Sequence, residues 1–369
     1  MKLLFSLGHP AHFHLFRNVI HILKQKGHLV SIHIKTKDVL EELVKKEGWE
    51  YYNILPEGRK NNNLSILLGL LKRDVRLWRI CRKERPDLMI GTNIETTHVG
   101  RWMNIPSINV NEDDWDVVPF YARFAYPFAT VILAPEGCRT GKWEYKTIHY
   151  PGYHELAYLH PSRFRPDHEI VKKYLPQHEK YFLMRFSGLA AHHDRGIHGI
   201  NTGLADKIIR ILNPHGKVII TSERILEPQF EALRMNIDPA DIHHLMGFAE
   251  MFIGDSQTMS AEAGVLGIPF IRFNNFVGRI SYLNELENKY ELGFGFTPGQ
   301  EEHLLLKLDD LIRMPDRKAA FQAKRKKMLD DKTDVCGFLT SFIENYPLCI
   351  KSPKPDPGTT RIHSDHDLP

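Results

Sequence analysis

The chain has 369 residues, 42% hydrophobic and 25% charged, the make-up of a folded globular protein. At that length two domains are expected, because single cores stop growing near ~250–300 residues. A net charge of +4 excludes a dedicated nucleic-acid binder on bulk grounds, and four scattered cysteines (Cys81, Cys138, Cys336, Cys349) exclude a disulfide framework or zinc ribbon and fit a reducing compartment.

The opening MKLLFSLGHP has too short an apolar run for a secretory leader, and Gly8-His9-Pro10 breaks it. No stretch reaches the ~20 apolar residues of a membrane span. A soluble, cytoplasmic protein is therefore expected. Leu3–Leu7 predicts a buried strand, Phe13–Lys26 a helix closed by Gly27, and Leu29–Ile34 a second strand. Val39–Glu47 predicts a helix and Trp49–Ile54 a third strand. A long amphipathic helix is expected over Leu64–Arg85, with Leu64, Leu67, Leu71, Val75, Trp78 and Cys81 inward. Its basic residues, Arg73 among them, face solvent or an anionic lipid surface. Strands follow at Leu88–Gly91, Ser107–Val110 and Thr130–Ala134. Strands separated by helices imply a parallel sheet.

Pro151, Pro161, Pro166 and Pro176 punctuate a stretch of weak periodicity, read as a linker. The alternation then restarts with strands at Lys180–Arg185, Lys217–Thr221, Met251–Gly254 and Phe270–Phe273. Helices lie between them at Gly199–Leu212, Glu227–Met235 and Met259–Leu266. Two Rossmann-like halves are the expected architecture. A second basic run, Arg313–Lys327, is as ambiguous as the first. The tail after Pro347 is polar and proline-rich.

The most informative segment is Phe252–Pro269: strand, polar turn, helix, glycine, proline. Its turn, Asp255–Thr258, falls at the carboxyl end of a parallel strand, where open α/β sheets bind ligands. Ser256 and Thr258 can cap the helix, whose free N–H groups favour a phosphate. Glu262, further along, could accept hydrogen bonds from ribose hydroxyls. A plain capped β-α unit fits the spacing equally well. Gly8–His14 holds three histidines at another strand exit. Imidazole has the pKa of a general base, and His12 is the candidate, whereas His9 and His14 read as caps or packing groups. The acidic run Asn109–Asp116 brings Glu112 and Asp113 to a third exit, and Glu95 is a weaker candidate at a fourth. In the second half Arg185, Ser187, Gly188 and Arg195 follow a strand, and the arginines could neutralise a diphosphate. Adjacent His192-His193-Asp194 make poor joint ligands, so no metal is expected. His243-His244 reads as a helix-surface feature. Asn274, Asn275 and Arg279 follow the last strand named.

Phe252–Pro269 resembles the donor-site motif of GT-B glycosyltransferases and of the related non-hydrolysing UDP-N-acetylglucosamine 2-epimerases. Over residues 1–345 the chain is similar to a prokaryotic family of predicted glycosyltransferases. The resemblance implies an α/β, GT-B-like fold, two Rossmann-like parallel-sheet domains facing a central cleft. It implies an acceptor-side domain at 1–155, a linker region at 156–178, a nucleotide-sugar domain at 179–333, a helix at 334–347 and a disordered tail at 348–369. Ser256, Gln257 and Thr258 would meet the diphosphate and Glu262 the ribose, Asp255 and Gly8 would belong to the nucleotide-sugar site, and His12 would lie on the acceptor side. Gln257-Thr258 replaces the glycine pair usual in the epimerases. Glu112 is the match to an essential epimerase glutamate and supports the alternative of 2-epimerisation; a third reading is a non-catalytic nucleotide-sugar-binding protein. The expected partners are a nucleotide-diphosphate sugar and a sugar or lipid-linked acceptor, with no further cofactor.

Overall fold

The computed structural model describes residues 1–56, 63–177, 180–188 and 199–351. Seven strands form the first sheet: β1 (Lys2–Leu7), β2 (Leu29–Lys35), β3 (Tyr52–Leu55), β4 (Leu88–Gly91), β5 (Ser107–Val110), β6 (Val131–Pro135) and β7 (Thr147–Tyr150). They lie in the order β3-β2-β1-β4-β5-β6-β7, all parallel. Helices α1 (Pro10–Gln25), α2 (Leu40–Lys46), α3 (Asn63–Glu84), α4 (Ile94–Met103) and α5 (Pro119–Ala125) connect them. The second sheet contains β8 (Tyr181–Phe186), β9 (Lys217–Ser222), β10 (Met251–Gly254), β11 (Phe270–Phe273) and β12 (Gly293–Phe296), ordered β12-β11-β10-β8-β9, again parallel. With it go α6 (His168–Lys172), α7 (Thr202–Leu212), α8 (Ile242–Phe248), α9 (Gln257–Leu266), α10 (Ser281–Asn284), α11 (Glu301–Arg313), α12 (Arg317–Asp331), α13 (Val335–Glu344) and α14 (Leu348–Lys351).

The strands are near-continuous apolar runs because helices cover both faces of a parallel sheet. Leu3, Leu4, Phe5 and Leu7 of β1, and Phe252 and Ile253 of β10, are fully buried. Each sheet reverses its winding once, between β1 and β4 and between β8 and β10. Such switch points open a crevice beyond the strands' carboxyl ends, where ligands bind.

Several expectations change. Glu227–Met235 is not an α-helix but a 3₁₀ turn, Pro228–Leu233, beside an isolated bridge from Arg234 to Ile220. Helix α3 is rotated from its expected face. Leu71, Val75 and Trp78 are exposed, while Leu70, Arg73, Asp74, Leu77 and Cys81 are buried. The inward turn is explained by partners on α4: Arg73 pairs with Glu95, and Asp74 with His98 at 3.0 Å. The side chains of Leu64 and Leu67 lie outside the described ones. In the second basic run, Arg325 and Gln322 cap the C-terminus of α9, donating to the Val265 carbonyl at 2.8 Å and the Leu266 carbonyl at 3.0 Å. These bonds satisfy carbonyls that a helix end leaves open. The expected disordered tail begins with the helical turn α14; its remainder, 352–369, lies outside the described residues.

The two halves meet along a polar seam. The segment Pro151–Tyr158, including a 3₁₀ turn at His154–Ala157, packs against both α1 and α9. Helix α13 returns to α1, where Lys26 pairs with Glu344 at 2.7 Å. Asp114, beyond β5 and fully buried, accepts from the Ser281 N–H at 2.8 Å and hydroxyl at 2.9 Å across the seam. It also accepts from the Arg139 N–H at 2.9 Å and Nε at 3.0 Å. Removing it strands three part-buried donors, the Ser281 N–H and hydroxyl and the Arg139 N–H, since the Arg139 guanidinium can turn to solvent. Asp114→Ala should therefore cost about 3 kcal/mol, read as a lowered urea midpoint; a midpoint within error of wild type would contradict this role.

Candidate active site

On the first-domain side, β1 delivers Gly8 to the switch point. A Cβ there would sit 2.3 Å from Asn93 Oδ1 and 2.8 Å from Lys35 Cε, so any larger residue has to displace both side chains. His9 caps α1, its Nδ1 accepting from the Ala11 N–H at 3.2 Å. His12 stands one turn on. Its Nδ1 accepts the Gly8 N–H at 3.1 Å, and the Thr92 hydroxyl lies against the same ring edge, 2.5 Å from Nδ1 and 2.9 Å from Nε2. Burial, with His9 and Lys35 adding, holds its pKa well below the usual range. His12 is thus a neutral hydrogen-bonding group with both ring nitrogens engaged. Nearby Glu95 is buried against Arg73 and Lys35, the latter at 3.5 Å. Burial pushes its carboxyl up, but the two cations outweigh that and hold it at about 2. Glu95 is therefore the anion of a fixed ion cluster beneath the crevice floor.

Beyond β5, Glu112 and Asp113 enter the seam. Burial, reinforced by Asp113, pushes Glu112 well above the usual carboxylate range, whereas Asp113 rises only to about 6, with His154 opposing burial. His154 Nδ1 lies 3.3 Å from Glu112 Oε2 and is itself pushed down by burial to about 4. Glu155, absent from the sequence reading, is fully buried with neither carboxyl oxygen partnered among the described residues. Burial and then Glu112 push it far up as well. Burial thus favours the protonated form of Glu112 and Glu155 and the neutral form of the His154 imidazole, while Asp113, at about 6, is largely ionised at neutral pH.

On the second-domain side, β8 and β10 end at the other switch point. Asp255 braces the two loops: its Oδ1 accepts the Ser187 N–H at 2.6 Å, and its carbonyl accepts from Asn274 at 3.0 Å. Arg185 pairs with Glu223, which also accepts the Gly188 N–H at 2.9 Å. Ser256 caps α9 through the Met259 N–H at 3.3 Å. That leaves the first-turn N–H groups of Gln257 and Thr258 open, with both side chains partly exposed. Arg272 is fully buried against Glu287 at 2.9 Å. Arg195, His192, His193 and Asp194 lie outside the described residues.

Glu262 ties the halves together. Its Oε1 accepts from the Tyr158 hydroxyl at 2.8 Å and from His243 Nε2 at 2.9 Å, while Oε2 makes no hydrogen bond among the described residues. The rings of His14, Tyr158 and His243 pack together with centroids 4.9–5.3 Å apart. His243 is buried here and is not a surface feature; the pull of Glu262 on α9 explains its inward turn. The sequence reading missed His154, Glu155 and Tyr158 because their prolines suggested a linker. A His-Glu pair flanked by tyrosines in so short a stretch was the available signal.

Fold and site together define the class: an α/β protein of two parallel sheets of the GT-B kind, with a polar crevice between their carboxyl ends. The UDP-GlcNAc 2-epimerase of Neisseria meningitidis, solved with UDP-GlcNAc, is similar over 95% of this chain and 100% of its own, at TM-score 0.65 and 13% identity. The UDP-GlcNAc 2-epimerase of Methanocaldococcus jannaschii is similar over 89% and 99%, at 0.62 and 13%. Spinosyn forosaminyltransferase SpnP is similar over 93% and 100%, at 0.58 and 14%. No protein of curated function matches the sequence. The chain belongs to the family described as "Protein of unknown function (DUF354)", which matches residues 1–278.

The Glu95 cluster yields a test with a defined sign. A carboxyl held at about 2, against an ordinary 4.5, contributes stability that is full above the ordinary value and lost as pH falls toward 2. Glu95→Gln leaves buried Arg73 without its anion and should cost about 3–5 kcal/mol at neutral pH. The deficit relative to wild type should shrink between pH 4.5 and 2 in urea unfolding. A deficit that does not change over that range would contradict the charged assignment.

Proposed function

We propose that this protein is a metal-independent glycosyltransferase that moves a sugar from a nucleotide-diphosphate sugar to an acceptor hydroxyl. The observation that carries the reading is the start of α9. A serine-capped helix begins at a sheet's switch point, and Glu262 stands on the same helix with one oxygen engaged and one open. In this reading the diphosphate sits on the N–H groups of Gln257 and Thr258, where the helix dipole favours an anion. Ser187 and Arg185 line its path, and Glu262 Oε2 takes a ribose hydroxyl. Attack on the anomeric carbon forms the new glycosidic bond, breaks the bond to the diphosphate and releases the acceptor proton. Asp113 is the group suited to take that proton, because its pKa of about 6 leaves it ionised yet basic near neutrality. Burial favours the protonated form of Glu112, which suits it to donate a hydrogen bond. His12, neutral and bonded to Gly8 and Thr92, orients the acceptor. A sugar or lipid-linked acceptor in surface-polysaccharide synthesis suits this arrangement, as does a cytoplasmic location at the inner membrane face.

One observation favours a second reading. Two buried carboxyls, Glu112 and Glu155, both with raised pKa, beside neutral His154 form an acid–base set suited to proton transfer at a sugar carbon, as 2-epimerisation requires. Incubation with UDP-GlcNAc and no acceptor separates the two: a C2-epimer or free UDP supports the second, and neither product supports the first.

Glu262→Gln keeps the shape but weakens the ribose contact, so affinity for the preferred nucleotide diphosphate should fall about tenfold or more, roughly 1.4 kcal/mol. Isothermal titration checks this, and unchanged affinity would sink the assignment. Activity should fall as pH drops through about 6, where Asp113 takes up a proton. Asp113→Asn should remove that dependence together with most of kcat.

A further inference from the structure

Helices α3, α4 and α5 pack side by side on the outer face of the first sheet, and His98 on α4 joins them. Its Nδ1 lies 3.0 Å from Asp74 of α3, and its Nε2 lies 2.8 Å from the Phe124 carbonyl of α5. The surface they present is unusual in two ways. Leu68, Leu71, Val75 and Trp78 form one stripe along α3, at the three-and-four spacing of a helix face, yet all four are exposed, Leu71 by 50% and Val75 by 46%. Trp102, 55% exposed, and Phe128 continue the apolar surface, both with their rings against His98. Arg82 lies over the Trp78 ring at 4.9 Å, and it lines one cavity of about 350 Å³ with Met103, which joins the ends of α3 and α4.

The charge on this face has one sign. The three helices carry acids only at Asp74, Glu84 and Glu95, and none is exposed. Asp74 and Glu95 are buried in ion pairs, and Glu84 bonds Tyr52 and Ser31. Arg79, Arg82, Arg101 and Arg123 are all exposed. Aliphatic side chains and tryptophans inside a ring of arginines fit a bilayer interface, where the apolar groups enter the acyl boundary and the cations meet lipid phosphates. A nucleic acid would match the arginines and leave the aliphatic stripe without a partner.

We infer that the α3–α5 face docks on the surface of an anionic lipid bilayer. This stands on its own observations, independent of the nucleotide-sugar reading. The geometry gives docking a use. Helix α4 begins at the crevice, beside Asn93 and Glu95, and ends at the docking face with Trp102. Ten residues at 1.5 Å each span about 15 Å, so the crevice end of α4 lies about one helix length from Trp102, within reach of a substrate carried by the same bilayer.

Co-sedimentation of the full chain with phosphatidylcholine vesicles, with and without 30% phosphatidylglycerol, tests it. Binding should require the anionic lipid, weaken at least tenfold between about 50 and 500 mM salt, and blue-shift tryptophan emission. Leu71→Ser/Val75→Ser and Arg79→Glu/Arg82→Glu should each weaken binding at least tenfold, with melting temperatures near wild type because all four residues are exposed. Leu306→Ser, an exposed apolar residue in the second domain, should bind as wild type. No binding to anionic vesicles at low salt overturns the inference. So do α3 variants that bind like wild type, equal binding to neutral vesicles, or tighter binding to a single-stranded or duplex nucleic acid than to vesicles.

Discussion

Glu262 is held by one oxygen from two directions, and much of the seam is arranged around that carboxylate. Tyr158 reaches it from the segment joining the two sheets, and His243 from the neighbouring helix α8. His14, from the first domain, packs on both rings. Neutral and anionic groups at this junction stay buried only if each finds a partner, since an unpartnered charge in low dielectric costs several kcal/mol. The seam meets that condition for Asp114 and Glu262 through hydrogen bonds. At Glu112 and Glu155 it is met differently: burial favours the protonated, uncharged carboxyl. The outcome is a crevice whose acids differ in state although they lie close in sequence. Burial favours a proton on Glu112, Asp113 titrates just below neutrality at about 6, and Asp114 is tied up in structure.

That sorting explains why the site was only half legible beforehand. Both parallel sheets could be read, because apolar runs, Gly27 and the Asp255–Glu262 turn-helix are local signals. Their carboxyl ends could be read as well, which brought Gly8, His12, Glu112, Asp113 and Asp255–Thr258 to one crevice. The protonation states and pairings could not, because they depend on contacts across more than a hundred residues. Glu262 with Tyr158, and Asp114 with Ser281, are of that kind. Helix α4 was missed because Glu95–Gly100 are buried in succession, which erases the amphipathic period a helix normally shows. Helix α3 was found but turned to the wrong face, since Arg73 and Asp74 go inward to ion partners on α4 that its own period cannot reveal.

The rotation of α3 has a consequence for the whole molecule. An inward-facing ion cluster at Arg73, Glu95 and Lys35 stiffens the crevice wall, and the same rotation displays Leu71, Val75 and Trp78 on the outside. One set of helices thus serves as crevice wall on one side and apolar, basic surface on the other. The second sheet carries the phosphate-friendly helix start. Its relation to solved nucleotide-sugar enzymes is one of fold, at 13–14% identity, so the chemistry rests on the residues themselves.

A crystal structure of the full chain soaked with a nucleotide diphosphate is the most direct test of the central claim. The account requires the diphosphate on the N–H groups of Gln257 and Thr258, and a ribose hydroxyl on Glu262 Oε2. A nucleotide bound elsewhere, or a crevice that stays empty at millimolar ligand, would contradict it.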